Sequence, residues 1–203
     1  MTSPSPTIIA LTPTHGLIEA GMAHDVAALS RAANIPWIVV QGSILPNVRT
    51  IAVQQALDRG ATHLLLLDSD MRFPPDTASR LWQHHVPIVG ANYRQRPTGV
   101  PTAMKGGQRV ESASKVGCES VDMIGLGVCL VEADVFRRLA APWFDLPYDA
   151  VLQRHHTDDW HFCRLARQAG FPILVDHTLS ADVAHLATTA QRMTLPSVAQ
   201  ETV

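Results

Sequence analysis

The sequence predicts an α/β domain, a Rossmann-like fold with a mostly parallel central sheet and a small antiparallel part. Two observations carry that expectation. Short apolar runs alternate with longer amphipathic ones through the first half of the chain, the pattern of successive β-α-β units. Hydrophobic residues make up 46% of the 203 and charged residues 17%, a balance that buries a core but, at ~100–200 residues per domain, leaves little room for a second. One domain over residues 1–203 is expected, with a core at about 7–187 and a polar tail at 188–203.

In chain order, residues 8–11 read as a strand, 18–33 as a helix, 37–41 as a strand, 48–59 as a helix and 63–67 as a strand. Gly60 stands where a helix commonly stops, and Pro36 opens the strand after the first helix. Residues 75–85 read as a helix starting near a proline, and 86–91 as a buried strand. From 94 to 121 glycines and polar residues break the periodicity, predicting loop and small antiparallel strands around an opening. Residues 128–131 read as a strand, 133–139 and 160–169 as helices, and 172–176 as the final strand.

The formal charge is −2, from 16 Lys+Arg and 18 Asp+Glu, which argues against binding along a nucleic-acid duplex by phosphate neutralisation. Cys118, Cys129 and Cys163 form no C-x-x-C pair and read as reduced, mostly buried thiols, without histidines nearby in sequence to complete a metal site. Residues 1–6 are polar, and no apolar run approaches the ~18 residues of a membrane span. A cytoplasmic protein is expected.

The run His63-Leu64-Leu65-Leu66-Leu67-Asp68-Ser69-Asp70 sets a buried strand directly before two carboxylates. Ligands of open parallel sheets bind beyond the carboxyl ends of the strands. The spacing lets Asp68 and Asp70 converge on one hard cation, Mg²⁺ or Mn²⁺, which takes oxygen ligands and bridges diphosphates. Ser69 then stands beside a sugar or phosphate. A solvated turn accounts for the same residues more plainly. Gly125-Leu126-Gly127 permits close backbone approach to a ligand, or makes a simple turn. Asp158 and Asp159 stand at a helix start, as site acids or as capping residues. His185, after Asp182-Val183-Ala184, offers a nitrogen ligand or is an ordinary surface histidine.

In that order, residues 64–70, 125–131, 158–163 and His185 resemble glycosyltransferases of the GT-A fold, family-2-like, over about residues 7–187. The resemblance implies a metal-dependent transfer of a sugar from a UDP- or GDP-sugar to an acceptor hydroxyl. It implies Asp68 on the ribose or a metal-bound water, Asp70 on Mn²⁺ or Mg²⁺, and His185 completing the metal shell. Asp158 and Asp159 would face the acceptor, with Asp159 as general base in an inverting enzyme. Asn47-Val48-Arg49-Thr50 resembles the family's A-R-N stretch, with Arg49 near the donor and Thr50 where Asn is common. Thr12, Pro13 and Thr14 resemble the loop that receives the nucleoside base, flanked by Gln41, Gly42 and Ser43. Tyr93, Arg94 and Arg96 fall on the acceptor side. Such a chain suits a bacterial or phage enzyme acting on a glycan, a small metabolite, a protein or a modified nucleic-acid base.

Two other classes share part of the pattern. A sugar-1-phosphate nucleotidyltransferase wants a glycine-rich first loop with a basic residue over the triphosphate, of which Thr12-Pro13-Thr14-His15-Gly16 is a poor version. A non-catalytic nucleotide- or carbohydrate-binding module leaves Asp158 and Asp159 without a chemical reason.

Overall fold

Four consecutive leucines on one strand need apolar cover on both sides of a sheet, because strand side chains alternate between faces. The computed structural model describes residues 6–96 and 98–186. In it Leu64 and Leu66 join one core with Ala52, Val53, Phe136 and Phe162. Leu65 and Leu67 join another with Met22, Val26, Leu29 and Leu81. The sheet is therefore the middle of three layers. The expected tail at 188–203 lies outside the described residues.

The elements in chain order are β1 (Ile8–Thr14), α1 (Ala20–Ala33), β2 (Trp37–Gln41), α2 (Leu45–Asp58), β3 (His63–Leu67), β4 (Met71–Arg72), α3 (Thr77–Trp82), β5 (Ile88–Ala91), β6 (Met104–Lys105), β7 (Gln108–Arg109), β8 (Cys118–Ser120), β9 (Val128–Glu132), α4 (Ala133–Arg138), β10 (Tyr148–Asp149), β11 (Arg154–His155), α5 (Asp158–Gln168), β12 (Ile173–Asp176), α6 (His177–Ser180) and β13 (Ala184–His185). The central sheet runs β2-β1-β3-β9-β5-β12-β8. Five of its strands point one way, and β9 and β8 run against them. No helix among the described residues is long and apolar enough to cross a membrane.

Several boundaries differ from the sequence expectation for physical reasons. β1 continues through Thr14, because each residue from Ala10 on pairs with one of β2. α2 starts at Leu45, three residues early, with Pro46 in a first turn where a missing N–H costs no helical hydrogen bond. α3 stops at Trp82, His85 takes a left-handed φ of 49°, and Pro87 follows close behind. Residues 94–121 do form a small hairpin, β6–β7. Its turn is Gly106-Gly107, both at positive φ, as a two-residue hairpin turn requires.

The strand at 172–176 is not the last: β13 pairs antiparallel with β4, setting His185 opposite Met71. β4 is itself pinned to α1 by buried Asp25, which accepts from Arg72 Nε at 2.6 Å, Arg72 Nη2 at 3.1 Å and the Phe73 amide at 3.1 Å. Burial opposes the Asp25 charge, but these donors prevail and hold its carboxyl below the usual range.

Candidate active site

The segment leaving β3 places two carboxylates in different surroundings. Asp68 takes its amide hydrogen bond to Gly127 O at 3.0 Å, and its Oδ1 accepts from Arg49 Nη2 at 2.7 Å. Arg49 is only 3% exposed. Its Nε donates to Asp158 Oδ2 at 2.8 Å, and Nη2 lies 4.0 Å from Asp159 Oδ1. Arg49 is thus a buried hub joining α2, the end of β3 and the start of α5, rather than a solvated surface cation. Burial would weaken its charge, but Asp68, Asp158 and Asp159 outweigh that and hold the guanidinium firmly protonated. Thr50 spends its hydroxyl on Pro46 O at 2.9 Å within the helix.

Three carboxylates around one guanidinium leave the cluster short of positive charge. Burial first, and the neighbouring Asp158 second, push the Asp159 carboxyl well above the usual range. Asp159 Oδ1 and Arg49 Nη1 are buried without a hydrogen-bond partner. Such orphaned groups are uncommon in folded proteins. Thr157 caps α5, accepting from the Trp160 amide at 3.3 Å, which leaves Asp158 and Asp159 to the cluster.

Asp70 faces the other way. The β4–β13 pairing brings His185 Nε2 to 3.2 Å from Asp70 Oδ2. His185 Nδ1 lies 3.0 Å from Arg94 O, so that with a proton on Nδ1 the Nε2 lone pair points at Asp70. A histidine that donates one nitrogen to a carbonyl is oriented to ligate through the other. Arg96 donates to the same Asp70 oxygen through Nη2 and approaches His185 Nε2 through Nε at 3.2 Å. Burial would raise the Asp70 carboxyl, but His185 and Arg96 prevail and lower it. Asp70 in turn raises His185. The Asp70 carboxylate and the His185 imidazole are two groups able to ligate a divalent cation, and the Arg96 guanidinium now holds the place such a cation would take. Asp68 and Asp70 thus have different partners, Arg49 on Asp68 Oδ1 and His185 with Arg96 on Asp70 Oδ2.

The two glycines permit a close approach by a side chain. A Cβ on Gly125 would stand 2.5 Å from the Tyr93 hydroxyl, and one on Gly127 would stand 2.6 Å from it and 3.1 Å from Asp68 Oδ2. Both are buried, and the close approach they permit is to Tyr93, whose hydroxyl accepts from the Gly127 amide at 2.9 Å. Gly127→Ala is therefore expected to destabilise the domain by about 1–3 kcal/mol through overpacking, read as a lower midpoint in urea denaturation. A wild-type midpoint would contradict the packing.

Thr12 and Pro13 lie within β1 and are buried, not in a loop, and the Thr12 hydroxyl accepts from Trp37 Nε1 at 2.9 Å. Thr14 uses its hydroxyl on Leu17 O at 2.6 Å. The open surface beyond β1 and β2 is a groove of about 400 Å³ lined by His15, Ser43, Ile44, Leu45, Pro46 and Asp158. Gln41, exposed at the end of β2, packs against Gly16 beside it. Ser69 is half-buried, and its carbonyl accepts from the Glu19 amide at 2.9 Å. A second cavity of about 540 Å³ lies past His185, lined by Asn92, Arg94, Glu111, Ser112 and Ser180. Asn92, which the sequence did not single out, shapes it by holding Val110 O, Ser112 Oγ, Thr102 Oγ1 and the Ala103 amide.

A seven-stranded sheet between two layers, with acids at the carboxyl end of β3 and an antiparallel β9 set between parallel strands, is a GT-A-like fold. Solved structures to which the chain is similar include A197 from STIV, with a TM-score of 0.62 at 11% identity over 93% of this chain and 98% of that one. GalNAc-T7, solved with UDP, GalNAc and Mn²⁺, matches with a TM-score of 0.56 at 14% identity over 89% of this chain and 44% of that one. A glycosyltransferase involved in glycosylation of the major capsid of PBCV-1 matches at 0.45 and 16%, over 91% and 96%. No protein-family profile and no curated protein sequence matches the chain.

Proposed function

We propose that this chain is a metal-dependent glycosyltransferase that moves a sugar from a UDP- or GDP-sugar to an acceptor hydroxyl. The observation that carries the reading is the joining of two half-sites across the end of β3. Asp70 with His185 forms a cation-seeking pair on one side, and Arg49 ties Asp68 to the acid pair Asp158 and Asp159 on the other. Asp70 and His185 would hold Mn²⁺ or Mg²⁺. Bound there, such an ion would neutralise charge developing on a departing diphosphate. The groove at His15, Ser43 and Ile44 suits the nucleoside, with Gln41 and Thr14 at its margin and Asp68 and Ser69 toward the ribose. Asp158 positions Arg49. Asp159 takes the proton of the acceptor hydroxyl, which makes transfer inverting. The cavity past His185 suits the acceptor. Three unpaired thiols fit a reducing compartment, the cytoplasm.

A panel of UDP-, GDP- and TDP-sugars scored by thermal shift tests the reading. Stabilisation by one nucleotide class, and only with Mn²⁺ present, is the expected result. Equal response to all of them, or none to any, would overturn it.

Arg96 occupies the carboxylate that the ion would need. Arg96→Ala is expected to tighten Mn²⁺ binding in the absence of donor by a factor of about 2–5, the worth of a partly exposed ion pair. Calorimetry at low ionic strength reads this directly, and weaker Mn²⁺ binding in the variant would show that Arg96 does not compete.

A further inference from the structure

A second convergence of metal-ligating side chains shares no residue with that site. Cys118 and Asp176 stand directly opposite each other across the antiparallel β8–β12 pair. Opposed residues on neighbouring strands project from the same face, with Cβ atoms ~4.5–5.5 Å apart, so the juxtaposition follows from the strand register. His84, just beyond α3, reaches the same place. Its Nε2 lies 2.9 Å from Asp176 Oδ2 and 3.4 Å from Cys118 Sγ. The three donor atoms all lie within 4.8 Å of one another.

We propose that His84, Cys118 and Asp176 form a binding site for a borderline-soft divalent ion of the zinc type, with a further coordination position open to water. Imidazole and thiolate with a single carboxylate is a donor set that favours zinc over magnesium or manganese. Zinc bonds of ~2.0–2.3 Å in a tetrahedron put neighbouring donor atoms roughly 3.3–3.6 Å apart. The observed separations of 2.9 and 3.4 Å need only small side-chain movements to meet that.

The surroundings supply what such a site requires. Buried Asp176 is fixed by its second oxygen, Oδ1, which accepts from the Leu179 amide at 2.8 Å, an outer contact of the kind that orients a ligating carboxylate. His84 is half-buried and Cys118 exposed, which leaves an entry path. Among the described residues neither Cys118 nor Asp176 has an Arg or Lys in contact, so no fixed cation competes for them.

The same three residue types also build thiol hydrolases, but here the sulfur is 3.4 Å from both ring nitrogens. A point equidistant from the two lies on the lone-pair axis of neither, so no thiolate–imidazolium pair is formed. Partial desolvation of the sulfur on the side facing the protein, reinforced by the Asp176 charge, pushes the thiol up to about 11, opposite to an activated nucleophile. Metal binding displaces that proton to solvent as the thiolate forms.

Titration of the reduced, full-length chain with Co²⁺, read by thiolate-to-metal charge-transfer absorption, tests the site. Cys129 and Cys163 are buried at 0% and 1% exposure, so the band reports Cys118. One equivalent of Co²⁺ should generate it and Zn²⁺ should abolish it. Cys118→Ser should lack the band, and His84→Ala should weaken binding about tenfold or more. Asp70→Ala should keep the band, which separates this site from the proposed active site. Absence of a thiolate band in the folded wild type, or its survival in Cys118→Ser, would overturn the proposal. So would alkylation of Cys118 at neutral pH as fast with Zn²⁺ as without.

Discussion

Asp70→Ala is expected to abolish Mn²⁺-dependent donor binding while the domain stays folded. Among the described residues Asp70 is the one carboxylate in contact with His185, and the backbone that brings the two together does not depend on its side chain: Leu186 N bonds Asp70 O at 2.8 Å, and β13 pairs with β4. The substitution leaves His185 and Arg96 facing each other without an anion, which turns a cation-attracting patch into a cation-repelling one. Loss of an outer-shell partner already costs about 10–100-fold in metal affinity, and loss of a direct ligand should cost at least that. The Asp70 contacts are partly exposed, and such pairs contribute at most about 1 kcal/mol to stability, which for a domain of this size moves the melting temperature by about 2–4 °C. Calorimetry with donor and Mn²⁺, beside a thermal melt, separates the two effects. Donor affinity in Mn²⁺ equal to that of the wild type would remove Asp70 from the metal site.

That experiment turns on residues whose place was legible in the sequence, and the reason is local. Four leucines followed by Asp68 and Asp70 state both a doubly covered strand and the end of it where ligands bind, and the structure gives each leucine pair its own core. What depends on contacts between distant segments was not legible. β9 could be read as a strand from its apolar run, but its antiparallel insertion between β3 and β5 depends on pairings that no local pattern encodes. Gly125 and Gly127 face Tyr93, more than 30 positions away, a neighbour that no local pattern names. Arg49 was expected near the donor, but that it joins three acids could not be seen, because those partners come from the end of β3 and from α5. Cys118 had no histidine beside it in sequence, and the fold supplies His84 from the end of α3. The loop reading of Thr12 and Pro13 failed because strand pairing with β2 prevailed over the turn tendency of proline.

The acid pair on α5 gives the second large effect: Asp159→Asn should lower turnover by about 10²-fold or more while donor affinity in Mn²⁺ stays near normal. The amide keeps the shape of the carboxylate but cannot accept the acceptor's proton, and donor binding rests on Asp70 and His185 instead. The pH dependence has a definite sign. Burial and Asp158 raise the native Asp159 carboxyl above its unfolded value of ~3.9. Below pH ~4 the group is protonated in both states and contributes nothing. As pH rises from there toward the native pKa the unfolded chain sheds the proton first, so the wild type progressively loses stability that an asparagine keeps. Asp159→Asn should therefore melt at the wild-type temperature near pH ~4 and increasingly above it at higher pH, while the wild-type rate climbs with pH as the carboxylate form appears and the variant's stays flat. Thermal melts and turnover measured across the same pH series read both. Loss of activity together with loss of stability at every pH would mean that Asp159 supports the Arg49 hub structurally, and undiminished turnover on a confirmed acceptor would pass the role of base to another group, with Asp158 the nearest carboxylate on the same helix.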